Sequence, residues 1–144
     1  MNTTTKVIML AFCIYTVVAY MDPKDFGDKL TKLGNECHDI CTDVTGATEE
    51  MIIQVRNGNF IDDEKMKRYV LCLCRVSRLM DKDLKIDMVA LNEVLPAGSR
   101  KNVPSGARDC LVNARNSDLK EKYDKVYEME KCLYNLNPDE FIMF

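Results

Sequence analysis

Six cysteines spread over about 125 residues, behind an apolar leader, constrain this chain more than any other feature. The first residues, MNTTTKVIMLAFCIYTVVAY, hold a short polar start with Lys6 and then an unbroken apolar run from Val7 to Ala19. A run of 13 residues is shorter than the roughly 20 that cross a bilayer. Val17 and Ala19 are small residues at the −3 and −1 positions of a cleavage site. Residues 1–19 therefore read as a secretory signal peptide and residues 20–144 as one mature domain. Cys13 leaves with the leader, and Cys37, Cys41, Cys72, Cys74, Cys110 and Cys132 remain. An even count in a small secreted domain implies disulfides without saying which cysteines pair. Zinc is disfavoured, because there is one histidine and no cysteine pair has the two-residue gap of a zinc knuckle.

The dominant hydrophobic period is helical. Phe26, Leu30, Leu33, Cys37 and Ile40 recur at three- and four-residue steps and make one apolar face. ATEEMIIQVRNG opens on Thr48 as an N-cap, with two acids in the first turn, and stops at Gly58. DDEKMKRYVLCLCRVSRLMD begins on Asp62 or Asp63 and carries Met66, Tyr69, Leu73, Val76 and Met80 on one stripe. DMVALNEVLP is capped by Asp87 and stopped by Pro96. Val103 to Ala114 marks a fifth helix, and Leu119 to Leu136 a sixth, ended by Pro138. Strand alternation is nowhere sustained. The expectation is an all-α, compact six-helix domain. The chain ends in Phe141, Ile142, Met143 and Phe144, with no charge after Glu140. Four large apolar groups favour leaving water, so this segment is expected to fold back. There it either covers a core edge or also walls a cavity.

Cys37 and Cys41, four apart, share a helix face; Cys72 and Cys74, two apart, lie about 200° around a helix from one another. One partner helix can meet only one of the latter pair. Cys72 sits among Tyr69 and Val76 and is the better structural bridge. Cys74 sits among Val70, Arg75, Ser77 and Arg78 and reads as a free or peripheral thiol.

CTDVTGATEEMI, NGNFIDDEKMKRYVLCL, RLMDKD and EKCLYNLNPDEFIMF, in that order, resemble the insect odorant-binding proteins, secreted six-helix carriers with six cysteines. The resemblance covers nearly all of the mature chain. The family's first, third, fourth and sixth cysteines match Cys41, Cys72, Cys110 and Cys132. Arg68 stands where the second belongs and Tyr123 where the fifth belongs. Those two pair with each other in the family, so their joint loss removes one bridge and leaves no orphan, as in the Minus-C subclass. The resemblance thus implies Cys41–Cys72 and Cys110–Cys132, each worth roughly 3–4 kcal/mol by loop entropy. It leaves Cys37 and Cys74 as extras, and implies that the helices carrying Arg68 and Tyr123 are less tightly tied.

Catalysis finds little support. The one histidine, His38, lies in CHDIC beside Asp39, but the flanking cysteines and calcium loop of a secreted phospholipase are missing. No cofactor or metal is implied, and Asp62, Asp63 and Glu64 read as helix-terminal acids. The charge, −3 over the whole chain, becomes −4 once Lys6 leaves and offers no electrostatic reason to bind nucleic acid or anionic membrane. Nine methionines and six tyrosines supply adaptable apolar surface and hydroxyls that can orient a ligand. Composition alone is compatible with a solid core; the resemblance implies an apolar cavity, of roughly 300–500 Å³ if at the low end of ligand sites. Expected lining residues are Met51, Ile52, Val55, Phe60, Tyr69, Leu73, Val76, Met80, Met88, Leu91, Val112, Leu133, Phe141 and Phe144, with Tyr69 and Tyr123 as hydroxyl contacts. The partner implied is a small hydrophobic ligand, such as an odorant, pheromone or terpenoid, with a chemoreceptor as a further partner and a monomer or weak homodimer as the state. Acid release, known in the family, has only His38, Asp139 and Glu140 to draw on here. The rival reading is a salivary, venom or haemolymph protein that uses the same fold to bind or scavenge another molecule.

Overall fold

Helix boundaries follow the caps that the sequence supplies. The computed structural model describes residues 21–101 and 106–144, so the expected signal peptide and Val103 lie outside the described residues. Seven α-helices occur among them: α1 Gly27–Thr45, α2 Glu49–Arg56, α3 Glu64–Val76, α4 Met88–Val94, α5 Ala97–Lys101, α6 Ala107–Asn116 and α7 Lys122–Leu136. Thr48, Asp63 and Asp87 each accept a backbone N–H of the helix they open, which satisfies donors that have no partner within the helix. After α2 the chain turns at Gly58, whose φ of 82° is the left-handed conformation glycine adopts freely. A Cβ there would also meet the Tyr134 ring.

Two expectations are corrected. The third helix ends at Val76 and not near Met80. Ser77 donates its hydroxyl to the Cys74 carbonyl and Arg78 turns left-handed at φ 61°. Asp81 then accepts the backbone N–H groups of Asp83 and Lys85, at 2.8 and 2.9 Å. Local side-chain bonds of this kind compete with helix continuation. The doubled-back loop is held by an isolated antiparallel pairing of Met80 with Ile86, and it buries Met80 and Leu84. The short α5 was not anticipated. It starts directly after Pro96, which stops α4 and leaves a chain free to begin another turn.

α3 is the central strut. It packs on α1 from one side and on α7 from another, while α6 packs on α7. Leu30, Gly34, Cys37 and Cys41 of α1 form a buried stripe, whereas Ile40, expected on that face, is half exposed. Met66, Tyr69 and Val70 of α3, Ile52 and Val55 of α2, and Val126, Tyr127 and Met129 of α7 complete the core. Phe60 stands edge-on to Tyr127, Tyr134 and Phe141, with ring centroids 5.5, 5.7 and 6.0 Å away.

Two disulfides staple this arrangement, Cys41–Cys72 between α1 and α3 and Cys110–Cys132 between α6 and α7. Cys37 and Cys74 are free thiols. The Arg68 guanidinium lies over the Tyr123 ring, 4.7 Å from its centroid. The two residues that the resemblance sets at the positions of two missing cysteines thus touch, through a cation–π contact. Beside it, the Lys67 ammonium pairs with Asp124 at 2.8 Å and with Asp62 at 2.6 Å. The seam between α3 and α7 is therefore held by charge and stacking.

Replacing Cys110 and Cys132 together by serine opens a loop spanning 22 positions. Denaturant unfolding should then report a loss of about 3 kcal/mol, with the helical circular-dichroism signal retained.

Candidate functional site

The segment after α7 returns to the body through specific bonds. Pro138 opens a single 3-10 turn, and the chain then runs extended from Phe141. The Met21 amide donates to the Phe141 carbonyl at 3.0 Å, and Arg56 Nε to the Met143 carbonyl at 3.0 Å. The Tyr69 hydroxyl donates to the Phe144 carbonyl oxygen. Burial pushes the Tyr69 phenol well above its ordinary range, so it keeps the proton it donates. His38 Nδ1 lies 2.8 Å from the same hydroxyl, and His38 Nε2 lies 2.8 Å from a Glu49 carboxylate oxygen. His38 thus bridges Tyr69 of α3 and Glu49 of α2. The Phe144 ring packs edge-on against Phe26, centroids 5.0 Å apart. It occupies the space where a Cβ of residue 34 would stand, and only glycine admits it.

Behind this segment lies a partly enclosed pocket of about 220 Å³. Its walls are Leu30, Leu33, Gly34 and Cys37 of α1, Val70, Leu73 and Cys74 of α3, and Met129, Glu130 and Leu133 of α7. Ser77, Leu79, Met80 and Ile86 of the doubled-back loop, Leu91 of α4, Leu95, and Ile142, Met143 and Phe144 close it. The terminal segment thus covers the core and also borders the pocket. A broader depression of about 550 Å³ lies over the same loop among Arg75, Arg78, Asp81, Lys85 and Asp87. Its charged lining suits solvent better than an apolar guest.

Of the residues expected to line a cavity, the structure brings Leu73, Met80, Leu91, Leu133 and Phe144 together at this pocket. Ile52, Val55 and Tyr69 are fully buried in the core on the far side of those walls, and Met51 and Phe60 pack against that core. Phe141 is buried beside Phe60 and Tyr134. Val76 is 37% exposed and Met88 52%. Val112 is half-buried on α6 and does not border the pocket. Tyr123 lies under Arg68 at the helix seam, so its hydroxyl is not brought to the pocket.

Cys74 borders the apolar pocket, contrary to the expectation of a wetter face, and Cys37 does so from α1. Burial raises both thiols, which stay protonated and neutral. Glu130 was not anticipated at all. It stands half-buried on α7 between Met129 and Leu133, and loss of surrounding water pushes its carboxyl up to about 7. A glutamate among charged neighbours on an amphipathic helix reads as solvated surface. The available signal was that Met129 and Leu133 flank it on the apolar stripe. Among the described residues no three histidine, cysteine or acidic side chains are placed to hold a metal ion, and no helix is long and apolar enough to cross a membrane.

The sequence profile of the PBP/GOBP family matches residues 10–135. Among solved structures the chain is similar to Apis mellifera odorant binding protein 5, at 22% identity and a TM-score of 0.64, over 80% of this chain and 94% of that one. It is also similar to odorant binding protein 4 of the predator Chrysopa pallens, at 25% identity and a TM-score of 0.61, over 79% of this chain and 95% of that one. The helical order, the two staples and the profile match agree: this chain belongs to the PBP/GOBP family.

Proposed function

We propose that the protein is a secreted carrier that takes small hydrophobic molecules out of water into the pocket behind Phe144 and transports them through extracellular fluid. The observation that supports it most is the pocket itself, an apolar space bounded by α1, α3, α7 and the terminal segment in a chain of this family. Residues 1–19 serve as the signal peptide in this reading. The driving force is removal of apolar ligand surface from water, with selectivity from shape. At about 220 Å³ the pocket is smaller than composition and resemblance suggested. A cavity of about 150 Å³ suffices for benzene. On that scale the guest has roughly eight to ten heavy atoms, the size of many volatile terpenoids and medium-chain alcohols. In this reading His38 has a structural role, engaged with Glu49 and Tyr69.

The direct test is displacement of a fluorescent apolar probe by ten-carbon volatiles. Leu73→Trp places a large ring where the guest would sit. It should weaken probe binding by at least about tenfold, close to 1.4 kcal/mol, while thermal unfolding remains cooperative. Unchanged affinity in a folded variant would place the probe elsewhere.

A pH dependence follows from Glu130. A wholly apolar guest strips the carboxyl of its remaining water and so favours the neutral acid over the ion. Binding then takes up a proton, and affinity is full at mildly acid pH and falls as pH rises through about 7. Cys37 and Cys74, the titratable neighbours on α1 and α3, stay neutral throughout. A probe titration from about pH 5.5 to pH 8 should therefore show severalfold weakening, and Glu130→Gln should flatten the profile.

A further inference from the structure

The polar inventory of the pocket is short. Apart from the two neutral thiols, Ser77 and Glu130 are the lining residues with polar side chains. The Ser77 hydroxyl is already engaged, donating to the Cys74 carbonyl at 3.2 Å and accepting from the Leu79 amide. Neighbouring acids on α7 are also paired, Asp124 with Lys67 at 2.8 Å and Glu128 with Lys131 at 2.5 Å. Glu130 differs: among the described residues its carboxyl has no hydrogen-bond or ion-pair partner. Water is a poor substitute for a partner once an apolar guest fills the space, and an unsatisfied buried carboxyl costs more than an unmade neutral bond.

We infer that Glu130 is the specificity-determining residue of the pocket and selects apolar ligands that carry a single hydroxyl head group. The inference rests on the carrier reading above. A hydroxyl satisfies the carboxyl in either of its states. It donates to the carboxylate, and it can also accept from the neutral acid. An ether or ester of the same length only accepts, so its lone pairs face those of the carboxylate whenever Glu130 is ionised. An alkylammonium would supply a countercharge. Both ions would then have to be desolvated in a pocket with no further donors or acceptors to complete their shells, which the pair does not repay. A hydrocarbon leaves the carboxyl unpaired. The order of preference at neutral pH is therefore alcohol first, with amine, ether and hydrocarbon behind.

The test compares 1-octanol, its methyl ether and octylamine as competitors of one fluorescent apolar probe at pH 7. In the unsubstituted protein the alcohol should displace the probe at about tenfold lower concentration than the ether, and the amine should not surpass the alcohol. Glu130→Leu should bind the probe and lose the preference, and Glu130→Gln, whose amide N–H groups can donate to an ether oxygen as well as to a hydroxyl, should narrow it. The Glu130 side-chain carboxyl carbon, followed by NMR in the unsubstituted protein, should shift on adding the alcohol. Equal affinity of alcohol and ether, an amine that binds tightest, a preference that survives Glu130→Leu, or an unmoved carboxyl resonance would each overturn the inference while leaving the carrier reading intact. Failure of the unsubstituted protein to bind the probe or any competitor would overturn the carrier reading, and the inference with it.

Discussion

The hydroxyl of Tyr69 joins three parts of the molecule: α3, α1 and the terminal segment. Tyr69 is wholly buried on α3; its oxygen faces His38 of α1 and the carbonyl of Phe144. A phenol in that position must find partners, because a buried hydroxyl without them costs several kcal/mol by transfer measures. The partners it finds fix where the terminal segment lies, and the pocket exists because that segment crosses in front of it. Gly34 contributes the other half of the constraint. Any side chain at that position would occupy the seat of the Phe144 ring. A bond from α3 and a missing side chain on α1 together define the wall.

The frame around this wall is less covalent than the six cysteines suggest. Two bridges staple α1 to α3 and α6 to α7. Between α3 and α7, Arg68 lies on Tyr123 and Lys67 reaches Asp124. Contacts of this kind are noncovalent and more sensitive to screening than a disulfide, Arg68 being half exposed and the Lys67–Asp124 pair partly so. The pocket of about 220 Å³ is bounded by these same two helices. The remaining cysteines, Cys37 and Cys74, act here as small apolar lining.

Much of the fold was legible because local chemistry decided it. Thr48, Asp63 and Asp87 are caps whatever the tertiary context, and Gly58 is the residue a left-handed turn requires. The apolar ending predicted its own return to the body. The site was legible only in part, and the reason is the position of α3. A helix between two neighbours is covered on more than one face, so periodicity identifies buried residues without saying which space they border. Ile52, Val55 and Tyr69 carry the same signal as Leu73 and Leu133, yet the first three fill solid core and the latter two face the pocket. For the same reason Cys74, about 200° around the helix from Cys72, proved as interior as its partner. The end of α3 was set by Ser77 and Asp81 bonding to nearby backbone, a competition that hydrophobic spacing cannot register. Glu130 was hidden by its type, since a charged residue on a helix is ordinarily solvated.

The account stands on a guest residing between α1, α3 and α7, behind the terminal segment. Methyl-resolved NMR of the protein with a bound eight-carbon alcohol measures that placement directly. The account predicts intermolecular nuclear Overhauser contacts from the guest to the methyl groups of Leu73, Leu91 and Leu133. Contacts confined to outward methyl groups such as those of Val44 and Val89, which are 66% and 71% exposed, would contradict it.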